Sequence, residues 1–314
     1  MRARRYFKGR SAFVGPSLLA ILVMILWSAC YPLITIGIAY SPHLSFAALR
    51  AGLAGTVLLM VAIYLREPIP KGWAIWGWIC LAGLGMTGLG YFGMFHAAEF
   101  VAPGLATVIA NTQPIIAGIL AYVLLGERLA ARGRLGMLIG FVGTVIIAAP
   151  KFLAEDARAT GFGVLYVLLA VLGVAGGNVA IKKLATRVDP AMAMGLQLLV
   201  GAIPLTAIAL TTENPREIEW SARFVVSLLV LALPGTALAF WLWQSTLRAI
   251  PLSRANVFSF LVPIFGITIG TLFFAEPLTW PVAIGVGVAA LGVYVATRCE
   301  PAIGGVPRQP LVEQ

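Results

Sequence analysis

The sequence contains two similar stretches, PIIAGILAYVLLGERL at residues 114–129 and PIFGITIGTLFFAEPL at residues 263–278. They stand 149 positions apart, and the same offset brings further identical residues together on both sides. The aligned pairs are Ala106 with Ala255, Pro114 with Pro263, Ile115 with Ile264, Glu127 with Glu276, Leu129 with Leu278, Gly136 with Gly285, and Gly143 with Gly292. Upstream the offset shrinks slightly, so that Arg50 falls opposite Gln197. The chain therefore contains an internal duplication.

The composition of the chain is that of a membrane protein. Of its 314 residues, 60% are apolar and 11% are charged, and the mean hydropathy is +0.96. About a quarter of the residues in a soluble domain are charged. The apolar residues fall into ten segments of about 20 residues, the length at which a helix crosses ~30 Å of hydrocarbon. The segments are 16–40, 46–65, 73–96, 103–125, 135–149, 162–184, 190–210, 224–247, 252–275 and 281–297. We therefore predict an all-α integral membrane protein with ten transmembrane helices.

The duplication places five of these helices in each half of the chain. Because five is an odd number, the second half must enter the membrane in the opposite orientation to the first. Such an inverted repeat is the architecture of many secondary transporters, which bind their substrate near the middle of the membrane, where the two halves meet. We predict that the repeats occupy residues 16–150 and 161–298 and that residues 151–160 link them.

The positive charges predict how the chain is oriented. Lys and Arg collect in the cytoplasmic loops of membrane proteins. Of the 22 such residues here, seventeen fall on one set of alternating loops and four on the other, and Arg50 lies inside a span. The four are Lys151, Arg158, Arg216 and Arg223. We therefore predict that the basic segment 1–15 and a disordered, Pro- and Gly-rich tail at 299–314 are both cytoplasmic, and that the linker 151–160 is periplasmic.

Other classes of protein are excluded by what the sequence lacks. The loops account for the net charge of +10, so this charge does not indicate a nucleic-acid partner. Cys30, Cys80 and Cys299 are too widely spaced for a disulfide framework or a metal site. The glycines between residues 83 and 93 match a dinucleotide-binding fingerprint, but they lie in an apolar helix, where we interpret them as a packing face. No acid lies deep in a span and no catalytic motif is present, so we expect no enzyme, metal or cofactor.

A small set of polar and aromatic side chains lies within the spans. Such groups are costly in a membrane and usually face a cavity or one another. The set comprises Tyr31, Arg50, Tyr91, His96, Asn111, Gln113, Asn178, Gln197, Trp241, Gln244, Ser245 and Asn256. Each of them either contacts a substrate or ties helices together. Arg50 either attracts a carboxylate or extends to the nearby outer interface. Without a buried acid, transport is either facilitated diffusion or coupled to an ion through His96.

Two duplicated pairs of residues predict structural features. Pro114 and Pro263 each remove a backbone hydrogen bond from a helix, and we expect either a hinge or cavity-lining kink, or ordinary packing, at these positions. Glu127 and Glu276 end the fourth and ninth spans. We interpret them as helix-end residues that stabilise the positive start of the following helix. A joint catalytic role is disfavoured because the two carboxylates lie on opposite sides of the membrane.

Several short motifs together resemble those of a known family. They are Trp27-Ser28, Leu49-Arg50-Ala51, Pro114 followed by LGERL at 125–129, Gly136, Gly143, and Pro263 followed by AEPL at 275–278. This set resembles the EamA family of the drug/metabolite transporter superfamily, over residues 16–297. The chain departs from the family pattern at Ala275, where Gly is usual, and at Ala175-Gly176, which lack the Trp of the first helix. The resemblance implies a fold of ten helices.

Within that family, the chain is similar to the YddG-type exporters of aromatic and other neutral amino acids. This resemblance implies a secondary carrier of the bacterial inner membrane that works by alternating access, with a central cavity lined by the third, fourth, eighth and ninth helices. It favours Tyr91, His96, Asn111, Trp241 and Gln244 as the residues that bind a small-molecule substrate. An exporter of drugs or other small metabolites, and a channel, remain alternatives. We expect a monomer or a weak homo-oligomer.

Overall fold

Ten helices of the structure are long and apolar enough to cross a membrane. The computed structural model describes residues 15–97, 100, 103–154, 161–274 and 278–298. The spans are α1 (Pro16–Ile38), α2 (His43–Tyr64), α3 (Trp73–Ala97), α4 (Pro103–Ala110 and Gln113–Leu125), α5 (Ala131–Ala154), α6 (Gly161–Leu184), α7 (Pro190–Thr212), α8 (Ala222–Ala249), α9 (Leu252–Val257, Phe258–Phe260 and Leu261–Phe274) and α10 (Trp280–Thr297). The described residues contain no strand. The predicted all-α membrane fold with ten spans is confirmed, whereas the cytoplasmic location of the termini stays a prediction.

The contacts between helices occur in pairs that the duplication relates. Helix α6 packs against α3 and α4, and its repeat mate α1 packs in the same way against α8 and α9. Helix α7 packs against α3 as α2 packs against α8. The remaining large contacts join repeat mates directly, α2 with α7 and α5 with α10. This pattern is the one expected for two five-helix repeats that are related by a two-fold axis in the plane of the membrane.

Duplicated glycines allow α5 and α10 to approach each other closely. A Cβ atom added at Gly136 would lie 2.5 Å from the carbonyl oxygen of Gly292, and one added at Gly143 would collide with the backbone of Ala289. The repeat mates Gly285 and Gly292 meet α5 in the same way, at Ile147 and Gly140. Because lipid solvates apolar side chains as well as protein does, such close backbone contact is a main source of attraction between helices in a membrane.

Four spans are interrupted, and they form two repeat-related pairs. Helix α3 contains a π-helical segment at Gly83–Leu89, and α8 contains one at Leu233–Leu238, at nearly the equivalent positions. Helix α4 is broken between Ala110 and Gln113, and α9 changes to 3₁₀ geometry at Phe258–Phe260. π-Helical segments and broken helices leave backbone groups free and are frequent at functional sites. The interruptions therefore lie in α3 and α4 of the first repeat and in α8 and α9 of the second.

The breaks in α4 and α9 lie just before the duplicated prolines. Pro114 is the second residue of the second part of α4, and Pro263 is the third residue of the last part of α9. A proline is tolerated in the first turn of a helix, where its missing N–H has no intrahelical partner. Both prolines therefore start a new helical segment in the middle of a span. Their role as hinges stays a prediction.

Candidate substrate-binding site

Arg50 connects α2 to the π-helical segment of α8. Its side chain is 5% exposed, and its Nε atom donates a hydrogen bond of 2.7 Å to Oγ1 of Thr236. The Thr236 hydroxyl in turn donates to the carbonyl oxygen of Leu231, five residues earlier in α8, at 2.8 Å. The guanidinium thus turns into the bundle toward the middle of α8. Of the two alternatives for Arg50, extension to the outer interface is wrong.

Two further spans complete the surroundings of this guanidinium. The Cζ atom of Arg50 lies 4.8 Å from the centre of the Tyr91 ring of α3, a distance at which a cation is attracted to the face of an aromatic ring. The Nη2 atom lies 3.7 Å from Sγ of Cys30 in α1. The hydroxyl oxygen of Tyr91 is buried and has no hydrogen-bond partner among the described residues. Helices α1, α2, α3 and α8 therefore meet around one positive charge.

The repeat mates of Arg50 and Thr236 form an equivalent but neutral contact. Thr87, in the π-helical segment of α3, donates a hydrogen bond of 2.9 Å to Oε1 of Gln197 in α7. Thr87 and Gln197 are both fully buried. The fold therefore uses the same junction twice, between a polar residue of α2 or α7 and a threonine of a π-helical segment. Only the junction in which Arg50 takes part carries a charge.

His96 lies near the end of α3 in a cluster of aromatic rings. Its ring stacks on Phe92 with an angle of 17° between the planes, and the Tyr166 ring meets it edge-on at 4.8 Å. Nδ1 of His96 lies 3.3 Å from Nε2 of His43 at the start of α2. Nδ1 of His43 lies 3.4 Å from a carboxylate oxygen of Glu213. His96 therefore belongs to a row of three titratable side chains at one end of the bundle.

The sequence reasoning missed the other two members of this row. Glu213 follows the last residue of α7, and its carboxylate accepts hydrogen bonds from the backbone N–H groups of Leu44 and Ser45 at 2.8 and 2.7 Å. These amides begin α2, where an anion is favoured by the helix dipole. A comparison with Glu127, which also ends a span, is the signal that could have identified Glu213. His43 carried no such signal, because the second span was predicted to start at residue 46 and His43 therefore fell in the loop before it.

Polar side chains of α4 and α9 meet at the two helix breaks. Nε2 of Gln113 donates to Oδ1 of Asn256 at 3.4 Å. Asn111 instead bonds within its own helix, from Nδ2 to the carbonyl oxygen of Thr107 at 2.9 Å. In the second of these spans, Nδ2 of Asn256 donates to the carbonyl oxygen of Leu252 at 3.0 Å. The amide nitrogen of Asn111 is therefore bonded within α4, at the break itself.

Trp241 and Gln244 lie in different surroundings although both belong to α8. Trp241 lines an apolar groove of ≈ 450 Å³ on the side of the bundle, together with Val57 and Pro234. The side chain of Gln244 is fully buried. Neither amide atom of Gln244 has a hydrogen-bond partner among the described residues. Between these two residues, Trp243 donates a hydrogen bond of 2.7 Å to Asn178 of α6.

The five predicted substrate-binding residues therefore do not surround one cavity in this structure. Tyr91 contacts Arg50 and His96 contacts His43, while Asn111 bonds within α4. Trp241 faces a lateral groove and Gln244 is enclosed. Tyr91 and His96 share the last part of α3, and their neighbourhoods adjoin. The substrate-binding role of each residue stays a prediction.

Hydrogen bonds between charged side chains and helix ends join the helices at one end of the bundle. At the face where α1 begins and α10 ends, termed the termini face, the carboxylate of Glu127 accepts hydrogen bonds from the N–H groups of Leu252 and Ser253 at 3.0 and 2.9 Å. These two residues start α9. The sequence analysis assigned this carboxylate to the following helix, whereas its partner is a helix of the other repeat. Glu276, its repeat mate, lies outside the described residues.

Two basic side chains add to the closure of the termini face. Nζ of Lys182, at the end of α6, donates hydrogen bonds to the carbonyl oxygens of Leu247 and Ile250 at 2.6 and 2.7 Å. Nη2 of Arg248 donates back to the carbonyl oxygen of Val188 at 2.7 Å. Lys182 thus binds free carbonyls at the end of α8, where the helix dipole favours positive charge, and Arg248 binds the loop between α6 and α7. Helices α6 and α8 are joined at this face.

The halves of α4 and α9 that lie away from the termini face are less enclosed. Every side chain from 105 to 113 in α4 is partly exposed, and so is every side chain from 261 to 267 in α9. In a packed bundle only one side of a helix faces lipid, so exposure on all sides indicates open space on the inner side as well. By contrast, residues 255–258 near the start of α9 are all buried. The described parts of α4 and α9 are therefore more enclosed near the termini face than toward the opposite face.

Comparisons with known proteins agree with this architecture. A family model described as the EamA-like transporter family matches residues 16–149 and 161–298. The chain is 30% identical over 268 residues to the uncharacterized transporter YvbV of Bacillus subtilis, which covers 84% of this chain and 85% of that protein. It is 25% identical over 288 residues to a probable amino-acid metabolite efflux pump of Salmonella typhimurium, covering 88% and 93% of the two chains.

A further relative and a solved structure are also similar to the chain. The protein PecM of Dickeya dadantii is 26% identical over 263 residues, which is 83% of this chain and 84% of PecM. A chain in a crystal structure superposes with a TM-score of 0.78 at 20% identity, over 90% of this chain and 98% of that one. At that identity the superposition establishes the fold alone.

Proposed function

Because the chain belongs to the EamA-like transporter family, we propose that it is a secondary carrier that exports amino acids, aromatic and other neutral ones, across the bacterial inner membrane. The carrier works by alternating access, in which the space between the two repeats opens first to one side of the membrane and then to the other. The name of the Salmonella typhimurium relative, a probable amino-acid metabolite efflux pump, supports this class of substrate.

One structural observation carries the proposal. The interrupted helices of both repeats, α3 with α8 and α4 with α9, surround a space that is closed by hydrogen bonds at the termini face and less enclosed at the other. A carrier must be able to close either end, whereas a channel is open at both ends when it conducts. If both termini are cytoplasmic, as the charges predict, this conformation faces outward and can release an exported solute.

Alternating access requires specific contacts at the termini face to break. The hydrogen bonds from Leu252 and Ser253 to Glu127 join α9 to the end of α4. The hydrogen bonds of Lys182 join α6 to the end of α8. These contacts are few, and each of them joins a charged side chain to a helix end. A small number of such hydrogen bonds can form and break in each transport cycle. A continuous apolar interface between the repeats would be harder to open.

Transport by the purified protein in liposomes tests the proposal. We expect saturable flux of labelled phenylalanine and methionine. Liposomes without the protein should show no such flux, and an excess of the unlabelled amino acid should suppress it. Absence of flux for every amino acid would contradict the proposed substrate class. Suppression by drugs or polyols but not by amino acids would favour the alternative exporter. Flux that does not saturate, with step currents in a planar bilayer, would indicate a channel.

A further inference from the structure

Arg50 is a buried cation whose contacts among the described residues are with neutral groups. They are the hydroxyl of Thr236, the sulfur of Cys30 and the ring face of Tyr91. Among the described residues, Arg50 forms no salt bridge with a carboxylate. Charged groups within a membrane nearly always pair with an opposite charge or mark the path of a substrate.

The cost of burying this charge is only partly offset by its neighbours. One hydrogen bond to a hydroxyl, a long contact to sulfur and a cation–π contact leave most of the five N–H donors of the guanidinium without a strong acceptor. A buried ion is stabilised fully only when an opposite charge and hydrogen bonds satisfy it together. The guanidinium therefore has unused capacity to bind an anion.

The repeat mates show that the junction itself does not need a charge. Gln197 joins α7 to Thr87 through a neutral amide, in the same way that Arg50 joins α2 to Thr236. A glutamine at position 50 could make the corresponding bond without the cost of burying an ion. Tying the helices together therefore explains the position of the side chain but does not explain its charge.

A second residue at the same place also differs from its repeat mate by a polar group. The offset of 149 positions places Tyr91 opposite Phe240, which has no hydroxyl. The hydroxyl oxygen of Tyr91 is buried without a partner among the described residues. The rest of the Tyr91 side chain is partly exposed, so one side of the cluster borders accessible space. A charge and an unsatisfied hydroxyl thus occur together on one repeat only.

From these observations we propose that Arg50 and the Tyr91 hydroxyl bind the carboxylate of the transported solute. The proposal rests on the proposed function and makes it more specific, since it requires a carboxylate on every good substrate. A guanidinium and a carboxylate can form two parallel charge-assisted hydrogen bonds, and the phenol can donate a third. Because Thr236 belongs to the π-helical segment of α8, the bound carboxylate would link the substrate to an interrupted helix that takes part in opening and closing.

The first test needs only the wild-type protein. We compare phenylalanine with phenylalaninamide, which replaces the carboxylate by a neutral amide, in thermal stabilisation of the purified protein and in competition with labelled phenylalanine in liposomes. We expect the acid to bind at least about tenfold more tightly than the amide, as charge-assisted hydrogen bonds imply. Equal binding of the two compounds would overturn the carboxylate site while leaving amino acid export intact.

Substitutions then assign the discrimination to these residues. Arg50→Gln and Tyr91→Phe each introduce the side chain found at the equivalent position of the other repeat, Gln197 and Phe240. We expect Arg50→Gln to weaken binding of phenylalanine by about tenfold or more and to leave the amide unchanged, and Tyr91→Phe to have a smaller effect of the same kind. Gln197→Leu, the matched control, breaks the neutral junction and should lower stability without changing the ratio of acid to amide binding.

Equal losses for acid and amide in Arg50→Gln would show a purely structural role and overturn the proposal. If this variant does not fold, Arg50→Lys, which keeps the charge, replaces it and should keep part of the preference for the acid. If the wild-type protein binds no amino acid, the proposed function fails. The carboxylate site is then tested by thermal stabilisation with two pairs of compounds, benzoate with benzamide and lactate with lactamide. No preference for the acid in either pair would then contradict the carboxylate site.

Discussion

Gln244 is the buried side chain whose hydrogen-bonding needs are met least within the described part of the chain. It is 0% exposed, and both its amide nitrogen and its amide oxygen lack a partner there. A buried polar group without a partner costs about 1–3 kcal/mol. Gln197, which is equally buried, differs because its oxygen accepts a hydrogen bond from Thr87. Two glutamines of similar burial can therefore be expected to respond differently to the same substitution.

We predict that Gln244→Leu raises the stability of the protein by about 1 kcal/mol, because it removes the unsatisfied amide at nearly constant volume. We also predict that it lowers substrate flux several-fold if Gln244 contacts the solute, as the sequence analysis expects. Thermal unfolding in detergent and flux in liposomes measure the two effects. Gln197→Leu is the control and should lose stability. Unchanged flux in a stabilised Gln244→Leu protein would remove Gln244 from the binding site.

At the scale of helices, glycine positions decide how closely α3 and α6 approach. A Cβ atom added at Gly177 of α6 would lie 2.7 Å from Cβ of Met86, whereas one added at the adjacent Gly176 would meet no atom within 4 Å. Gly173, one turn earlier, would meet the carbonyl oxygen of Gly85 at 2.5 Å. Of the α3 glycines that resemble a nucleotide-binding fingerprint, Gly85, Gly90 and Gly93 pack against α6, whereas Gly83 and Gly88 pack against α7.

The adjacent pair in α6 provides a matched comparison. We predict that Gly177→Ala lowers the free energy of unfolding by about 1–3 kcal/mol, because the added methyl group separates two backbones. Gly176→Ala should be neutral or slightly stabilising, since alanine favours a helix by up to about 1 kcal/mol over glycine. Thermal unfolding of the two variants side by side measures the difference. Equal stability of the two proteins would show that α3 and α6 do not pack as described.

Because α4 and α9 are interrupted, we expect a proline to affect transport most where a helix restarts after a break. Replacing Pro114 by alanine restores an N–H group that can bond across the break in α4. We predict that Pro114→Ala keeps or raises stability and reduces flux several-fold, because a continuous α4 moves less freely. Pro204→Ala in the uninterrupted helix α7 is the control and should transport normally. Equal flux in both variants would show that the break in α4 is not needed for transport.

The sequence predicted the spans better than the interruptions within them. A span is recognised by its length and its lack of charged residues, and both can be counted directly in the sequence. The second span, for example, was predicted at 46–65 and forms His43–Tyr64. The π-helical segments Gly83–Leu89 and Leu233–Leu238 contain glycine, and the second contains a proline, but these residues alone do not predict π-helical geometry. Their presence follows from packing against other helices, which the sequence does not display. The prolines indicated the breaks in α4 and α9 because a missing N–H has a local effect.

The candidate site was predicted less completely, for a related physical reason. Arg50 and Tyr91 stood out as polar residues within apolar spans, but the sequence did not show that α2 and α3 bring them into contact. By the predicted boundaries, His43 and Glu213 fell in loops, where polar residues are common. Their contacts join distant parts of the chain, and only the folded structure brings them together with His96.

At the scale of the whole molecule, the inverted repeat places equivalent loops on opposite sides of the membrane. The loop between α2 and α3 includes Lys71, and the equivalent loop between α7 and α8 includes Glu217; both side chains are exposed. We predict that, in intact cells of a cysteine-free variant, a membrane-impermeant maleimide labels Glu217→Cys but labels Lys71→Cys only after the cells are opened. Labelling of Lys71→Cys alone in intact cells would reverse the predicted orientation. Equal labelling of both would contradict the inverted repeat.

The central claim is that transport requires the termini face to open and close between the repeats. Glu127 and Ser253 lie in contact across that face, and cysteines at these two positions can be joined by a bifunctional thiol reagent that a reducing agent cleaves. In a background without Cys30, Cys80 and Cys299 whose transport is intact, the measurement is phenylalanine flux before cross-linking, after it, and after reduction. We predict that cross-linking stops the flux of phenylalanine and that reduction restores it. Undiminished flux in fully cross-linked protein would contradict it.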